Sequence, residues 1–381
     1  LIVAGVMSGT SADGIDVAIA EIMGRGFTLR YKLLHHHHAN YPAAVRKAVL
    51  AAMNAKDASV ADLSRLNFTL GEIYADAVRA ALKGTRRKPD LVACHGQTIY
   101  HQAEAAAYLG KRVTCTWQLG EGAIVAARTG LPVVSDFRPA DMAYKGNGAP
   151  LVPFFDYVTY RHRTRGRILQ NLGGIANLTA IPAGARPDQV FAFDTGPANM
   201  VIDACMDQLF GKSYDTGGRV AAKGEVLEPI VKAILRERYF QLSPPKACGR
   251  EEFGREFTAH FLRLCGRAGK EDIIATATAL TARSVTEAIS RFVIEKRAHY
   301  KDLIVAGGGA KNPTLMKMLA DGVAPLGLTI STTEEIGVPS EAKEALAFAL
   351  LAYETWHRRP SNIPTATGAS RPAVLGKISY P

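Results

Sequence analysis

The chain contains no apolar run near the ~18 residues that a membrane-spanning helix needs. Its first residues show no signal-peptide pattern, and because it begins at Leu1 rather than Met, a few leading residues are expected to be absent. Cysteine is scarce: Cys94, Cys115, Cys205, Cys248 and Cys265 are scattered and never spaced as C-x-x-C. That argues against a zinc cage and a disulfide framework, and fits reduced thiols in a cytoplasmic enzyme. Two familiar nucleotide signatures are also missing. There is no G-x-G-x-x-G, and Gly211-Lys212-Ser213 has Met206 where a Walker A loop carries its first glycine.

Aromatic residues do not interleave with the basic ones. Lys and Arg cluster at 83–88 and 161–167, and the formal net charge is +11, but neither cluster offers a base-stacking pattern. Both read as solvated loops, so no nucleic-acid partner is expected; a basic balance equally suits an anionic small substrate such as ATP. The run His35 to His38 follows a strand-like segment and leads into Tyr41-Pro42, without Cys or carboxylates beside it in sequence. It reads as a strand end rather than a metal site.

What the chain does have is glycine in three telling places. Gly9-Thr10-Ser11-Ala12-Asp13-Gly14-Ile15-Asp16 is a polar turn between apolar runs, rich in small residues that leave backbone N–H groups open to a phosphate. Alone it could be an ordinary hairpin turn. Phe193-Asp194-Thr195-Gly196-Pro197 and Ala306-Gly307-Gly308-Gly309-Ala310 add two more such loops, and three together point to a nucleotide site.

At 381 residues, 48% hydrophobic and 21% charged, the chain has the size of two ordinary domains and a globular composition. Strand-like runs alternate with helical ones: helices near 43–55 and 60–82, a buried strand at 90–94, a helix at 120–129, a strand at 132–135, then a polar loop at 136–150. A basic, less apolar stretch at 161–166 marks a boundary. Beyond it the opening pattern returns, Ile168–Leu172, Gly173-Gly174, Ile175–Ile181. Two related α/β lobes with a cleft between them follow from this repeat. The last helix places Ala342, Ala345, Leu346, Ala349, Leu350 and Tyr353 on one face. The tail, rich in Pro, Gly, Ser and Thr, reads as an extended surface segment.

Asp194 ends the apolar run Val190 to Phe193 and precedes a sharp turn. A carboxylate there is ionised near neutrality and can take a proton from water or a hydroxyl, although it could equally cap the helix expected from about Asn199. Leu303–Ala306 reads as a buried strand, and Asn312-Pro313 as the start of the helix after the glycine triplet.

Along its whole length the chain resembles the anhydro-N-acetylmuramic acid kinase family, bacterial enzymes of the actin, sugar-kinase and heat-shock-chaperone superfamily. The matching segments are Met7-Ser8-Gly9-Thr10-Ser11, Asp13-Gly14, His95-Gly96-Gln97-Thr98, Asp136-Phe137-Arg138 and Gly148 to Pro153. They continue through Asn171 to Asn177, Phe193 to Pro197, Pro245-Lys246, Gly249-Arg250-Glu251, the triplet at 307, Glu344-Ala345 and Thr367 to Pro372. The resemblance implies an α/β fold of two ribonuclease-H-like lobes with an interlobe nucleotide cleft. Residues 1–160 would form an N-terminal lobe with the phosphate loop and part of the sugar site, 161–360 a C-terminal lobe, and 361–381 the tail.

It implies ATP and Mg²⁺ as cofactors and a homodimer. Gly9, Thr10, Ser11, Ala12, Asp13, Gly14, Ile15 and Asp16, with Gly173, Gly174, Gly307, Gly308, Gly309 and Asn312, would bind ATP. His95, Thr98, Asp136, Arg138, Thr195 and Glu344 would bind the sugar, and Asp194 would be the base. For His95, Thr98 and Glu344 a purely structural role is as good a reading. Arg138 could grip an anionic group such as the lactyl carboxylate. The substrate implied is the 1,6-anhydro sugar released in peptidoglycan recycling.

Two departures stand out. Met7 occupies a position where many superfamily members have aspartate, so metal contacts must come from Asp13, Asp16 or water. Pro197-Ala198-Asn199 carries Ala where Gly is expected, a mild change if φ is negative and a strained one if it is positive. Two other functions remain open: a kinase of a sugar with a free hydroxyl, and an ATP-gated binding protein. The matches at 136–153 favour the anhydro sugar, and the absence of a long peptide-binding or polymer-contact extension disfavours the binding protein.

Overall fold

Ile2–Met7, IVAGVM, is buried along almost its whole length, as a strand covered on both faces must be. The computed structural model describes residues 1–9, 12, 14–53, 55–294 and 299–381. In chain order the strands are β1 (Ile2–Met7), β2 (Gly14–Met23), β3 (Arg30–Asn40), β4 (Leu91–Cys94), β5 (Gln97–Tyr108), β6 (Lys111–Leu119) and β7 (Val133–Ser135). They continue with β8 (Gly166–Leu172), β9 (Ile175–Ile181), β10 (Phe191–Pro197), β11 (Tyr300–Ala306), β12 (Thr329–Thr332) and β13 (Lys377–Ser379).

The chain divides into two compact units, residues 1–159 with 341–381, and residues 160–340. The first holds a sheet in the order β13-β7-β4-β1-β2-β3, the second one in the order β10-β9-β8-β11-β12. In each, the first two connections are antiparallel hairpins and the fourth and fifth strands run parallel to the first. Numbered within its own unit, each sheet contains the order 3-2-1-4-5, the ribonuclease-H-like order, to which β13 adds a sixth, antiparallel edge strand in the first. Low residue identity between the units hides a shared topology.

In the first unit the helix Val60–Leu82 lays Leu70, Tyr74, Ala77, Val78 and Ala81 against Val6, Ile15, Val17 and Ile19. The helix Ser340–Trp356 approaches the sheet at Gly5, where a Cβ would stand 1.9 Å from the Ala345 carbonyl oxygen. Small residues on both partners let the backbones meet. This helix therefore packs within the first unit, whereas the sequence boundaries carried the second lobe to residue 360. The tail differs too. Ser361, Asn362 and Thr367 are buried, and β13 joins the edge of the sheet beside β7. Buried Asp141 accepts hydrogen bonds from Asn362 Nδ2 (2.6 Å) and Thr367 Oγ1 (2.7 Å), tying the tail down.

Two further elements depart from expectation. Residues 136–150 contain the short helix Phe137–Ala143. The hairpin β5–β6 follows the His95-Gly96 turn as a separate two-stranded sheet. The histidine run lies inside β3, with His35 to His38 paired to β2 from Ile19 to Asp16. In the second unit the core gathers Ile168, Leu172, Leu178, Leu303 and Val305 from the sheet with Val285, Ile289, Leu315 and Leu319 from helices. No helix of the described residues is long and apolar enough to cross a membrane.

Candidate active site

In the second unit, β10 alternates Phe191 and Phe193 with polar and small residues, then breaks register between Asp194 and Gly196. Gly196 adopts φ +145°, and a Cβ there would lie 3.0 Å from the Phe240 ring and 3.1 Å from Ser284 Oγ. The bulge re-aims Asp194. Its carboxylate is half-buried, and three groups distant in sequence hold the residue. The Asp194 N–H donates to the Lys246 carbonyl (3.0 Å), the Tyr239 hydroxyl donates to the Asp194 carbonyl (2.8 Å), and the Cys248 N–H donates to Oδ2 (2.9 Å).

Burial pushes the Asp194 pKa up to about 6, against the hydrogen bonds from Cys248 that stabilise its ionised form. Lys246, buried with its Nζ 4.7 Å from the centre of the Tyr239 ring, is pulled down by burial to about 8. A carboxylate poised just below neutrality, with a cation nearby, is what a general base requires. It does not cap the next helix: Ala198 occupies that position, without a side-chain cap.

The glycines of this unit converge beside β8. Gly173 and Gly174 turn β8 into β9, and their carbonyls accept the N–H groups of Asn199 (2.9 Å) and Ala198 (3.0 Å) respectively. Asn199 Nδ2 donates to the Leu172 carbonyl (3.2 Å). Gly307, at φ +87°, would place a Cβ 2.8 Å from both Asn171 Oδ1 and the Leu172 carbonyl, and Gly309 one 2.6 Å from Leu172 Cβ. Gly308 is different: the nearest atom to its Cβ would be Asn199 Nδ2 at 3.6 Å. The outer two glycines let the triplet lie on the end of β8, and the middle one leaves room above it.

In the first unit the hairpin turn between β1 and β2 includes Gly9, Ala12 and Gly14. Ala12 sits at φ +52° and its N–H donates to the Gly9 carbonyl (3.1 Å). Asp16 stands opposite Met7 in the β1–β2 ladder. Its Oδ1 accepts from His36 Nε2 and His38 Nδ1, both at 3.0 Å. A carboxylate is thus present at the level of Met7, on the neighbouring strand.

A second polar cluster forms where β4 ends. His95 donates Nδ1–H to the Gly96 carbonyl (2.7 Å), so its Nε2 is the acceptor for Arg138 Nε (3.1 Å) and Nη2 (2.8 Å). Arg138 Nη1 donates to the Gly148 carbonyl (2.8 Å). Burial and the Arg138 charge keep His95 neutral, far below the usual histidine range. Arg138 itself is lowered by burial to about 10, offset by the charges of Glu344 and Asp141, so it remains a cation at neutral pH. Burial raises Glu344, while Lys343 and Arg138 oppose that rise. This cluster can orient an anionic or hydroxyl-rich ligand.

The family model for anhydro-N-acetylmuramic acid kinase matches residues 1–381. The chain belongs to this family. It is 42% identical over 384 residues to an anhydro-N-acetylmuramic acid kinase of Bacillus cereus (strain ATCC 10987 / NRS 248), spanning 100% of this chain and 99% of that protein. It is 41% identical over the same length to the namesake of Bacillus thuringiensis subsp. konkukian (strain 97-27), with equal coverage. The protein is accordingly an enzyme, a kinase.

Of the site residues expected from the sequence, the structure groups Asp194 and Thr195 on β10, and Gly173, Gly174 and the triplet 307–309 around the end of β8. It groups His95, Arg138 and Glu344 in the first unit. Thr10, Ser11 and Asp13 lie outside the described residues. Ile15, expected at the nucleotide, is instead fully buried in the core, backbone and side chain alike, and pairs with Ala39 across the β2–β3 ladder. The Thr195 hydroxyl donates to the Ala176 carbonyl (3.2 Å), and Asn312 Oδ1 caps the next helix by accepting the Leu315 N–H (3.0 Å).

Thr98 accepts from Gln118 Nε2 (3.2 Å), and Asp136 pairs with Lys377 Nζ at 3.1 Å. Ala198 has φ −114°, so the methyl group in place of Gly carries no left-handed strain. Tyr239, Lys246 and Cys248 as holders of Asp194 escaped the sequence reading. Pro245-Lys246 signalled the segment but not its destination. His101, beside Arg138 and held neutral with a pKa of about 4 by burial and that charge, escaped it too.

Proposed function

We propose that the protein opens the 1,6-anhydro ring of 1,6-anhydro-N-acetylmuramic acid with water and phosphorylates O6, giving N-acetylmuramic acid 6-phosphate and ADP in peptidoglycan recycling. The observation that carries this reading is Asp194, a half-buried carboxylate at a strand bulge with its pKa raised to about 6. In the anhydro sugar O6 is locked in an ether to C1, so no O6 hydroxyl is free to attack ATP. Asp194 takes a proton from water, the water oxygen bonds to C1, and the C1–O6 bond breaks. O6 then takes the γ-phosphoryl group as its bond to ADP breaks. One base serves both events, and positioning supplies much of the acceleration.

The turn from Gly9 to Asp16, including Thr10, Ser11 and Asp13, holds the phosphates in this reading, with Gly173 and Gly174. The triplet 307–309 and Asn312 lie along the adenosine. Arg138, oriented by His95 and the Gly148 carbonyl, pairs with the lactyl carboxylate, and Thr98, Asp136, Thr195 and Glu344 line the sugar. Among the described residues no group of three or more His, Cys, Asp or Glu forms a metal cage. Mg²⁺ needs only one or two carboxylates when phosphate oxygens and water complete its shell, so Asp16, level with Met7, is a fitting donor, directly or through water. When bound, the ion supplies charge neutralisation at the phosphates. Work in the cytoplasm as a homodimer, on small molecules and with neither nucleic acid nor membrane as partner, completes the reading.

The test is coupled ADP release with Mg-ATP and the anhydro sugar, beside N-acetylmuramic acid, N-acetylglucosamine and Asp194→Asn. Turnover confined to the anhydro sugar and lost in the variant is expected. Turnover confined to a free-hydroxyl sugar overturns the substrate. Slow ATP hydrolysis indifferent to every sugar returns the binding-protein alternative.

A further inference from the structure

Four buried polar side chains of the first unit form one directed chain that ends on the turn between β1 and β2. Tyr41 donates its only hydroxyl proton to Ser8 Oγ (2.9 Å), so the contact between the Tyr41 and Tyr74 hydroxyls (2.9 Å) must be donated by Tyr74. Ser8 donates to Gln97 Oε1 (2.7 Å), and Gln97 Nε2 donates to the Gly9 carbonyl (3.1 Å). Ser8 fixes one end of the Gln97 amide and Gly9 the other, so its orientation follows from the network. Tyr74 and Gln97 are fully buried, and Ser8 and Tyr41 nearly so. Such groups repay their desolvation only if every bond is made, which fixes their geometry tightly.

The Gly9 carbonyl also accepts the Ala12 N–H, so both of its lone pairs are used. Arg46 Nε donates to the Ala12 carbonyl (3.1 Å). Two carbonyls of the turn are thus tied to protein groups. A carbonyl oxygen so tied is not presented to an anion, which it would repel.

We propose that Gln97, backed by Ser8, Tyr41 and Tyr74, is a positioning residue for ATP: it holds the Gly9 carbonyl away from the phosphates and so pre-forms the turn that receives them. This rests on the reading of residues 9–16 as the phosphate turn. Gln97 touches no substrate itself and acts through Gly9. Its effect falls on nucleotide binding rather than on the base, which lies on β10.

Because burial raises the Tyr41 hydroxyl to about 12 and Tyr74 well above the usual tyrosine value, both keep their protons and the chain does not titrate near neutrality. The device is insensitive to pH in the working range.

The experiment measures KM for ATP, KM for the anhydro sugar, kcat and thermal midpoint for Gln97→Glu, Tyr41→Phe and Gly9→Val. Gln97→Glu turns an acceptor toward the Gly9 carbonyl at nearly constant volume. It is expected to raise KM for ATP about tenfold or more, with KM for the sugar within about twofold. Tyr41→Phe removes the hydroxyl that feeds Ser8 and leaves that of Tyr74 without its acceptor, so it is expected to lower the midpoint while staying folded and to raise KM for ATP by about threefold.

Equal losses in both KM values and kcat, or an unchanged KM for ATP in folded Gln97→Glu while Gly9→Val raises it, overturn the proposal and leave the phosphate turn standing. An unchanged KM for ATP in Gly9→Val overturns the phosphate turn, and the proposal with it.

Discussion

The first hairpin of each unit occupies the same place in a 3-2-1-4-5 sheet, yet the two turns are held by different means. Between β1 and β2 six residues intervene, and side chains anchor the carbonyls: Gln97 at Gly9 and Arg46 at Ala12. Between β8 and β9 there are only Gly173 and Gly174, and backbone anchors them through the N–H groups of Ala198, Asn199 and Met200. A turn held by side chains is adjustable one residue at a time. A turn held by backbone fails only when the packing around it is forced apart. One topology thus supplies a tunable loop in one unit and a rigid shelf in the other.

Asp194→Asn acts on the second unit's chemistry without touching its shelf and carries the largest expected effect. It should lower kcat/KM by about 10²–10⁴-fold in the ADP-release assay. In the unaltered enzyme kcat/KM should rise with pH through about 6 and then level, as the base ionises. Stability follows the opposite slope. The folded pKa lies above the unfolded value of 3.8, so stability is fully present below that value and falls as pH rises to about 6. Chemical denaturation between pH 4 and 7 should show this fall in the native chain and lose it in the variant. An unchanged slope would remove Asp194 as its source.

Next in size is the shelf itself. Gly307→Ala forces a methyl group against Asn171 Oδ1 and the Leu172 carbonyl, at a left-handed φ. It should cost about 1–3 kcal/mol, read as a lower unfolding midpoint. Gly308→Ala has room for its methyl group, so it should leave the midpoint nearly unchanged and raise KM for ATP. If the two variants behave alike, the triplet is not divided into packed outer and ligand-facing middle positions.

On the first unit's side, His95→Phe keeps a ring against Phe348 but removes the acceptor for Arg138. KM for the sugar should rise about tenfold while KM for ATP stays within about twofold. A matching rise in both would make His95 a structural residue for the whole unit. The smallest effect belongs to Ala198→Gly. With φ already at −114°, restoring the expected glycine relieves nothing and should destabilise by less than about 1 kcal/mol, measured by thermal unfolding.

Much of the second unit's hairpin and its glycine turn was legible, because alternating apolar residues and a Gly-Gly pair are local signals. The long helix at 60–82 was legible from its periodicity, and the start of the helix Pro313–Val323 from Asn312-Pro313. The hairpin β5–β6 was not. Its strands read QTIYHQAEAAAY and KRVTCTWQL, with alanine-rich and mixed exposure that breaks period-two alternation. The burial of the tail was not legible, because Pro, Gly, Ser and Thr usually mark exposed chain. Here Asp141, more than 200 residues away in sequence, supplies acceptors that make burial of Asn362 and Thr367 affordable. The carboxylate at 194 stood out, but its surroundings did not.

The sequence by itself determined the strands and helices with clear periods, the glycines that only a close approach or a left-handed turn can require, and a carboxylate directly after an apolar run. Those depend on neighbours within a few residues. That this carboxylate sits at a bulge inside β10 rather than at the strand's end was not among them. Only the tertiary structure decided that the helix from Ser340 packs on Gly5, that Tyr239, Lys246 and Cys248 hold Asp194, and that His95 spends its lone pair on Arg138. A pKa, a hydrogen-bond partner and a backbone approach are set by whichever groups share a few ångströms of space, and no local pattern in the chain records that.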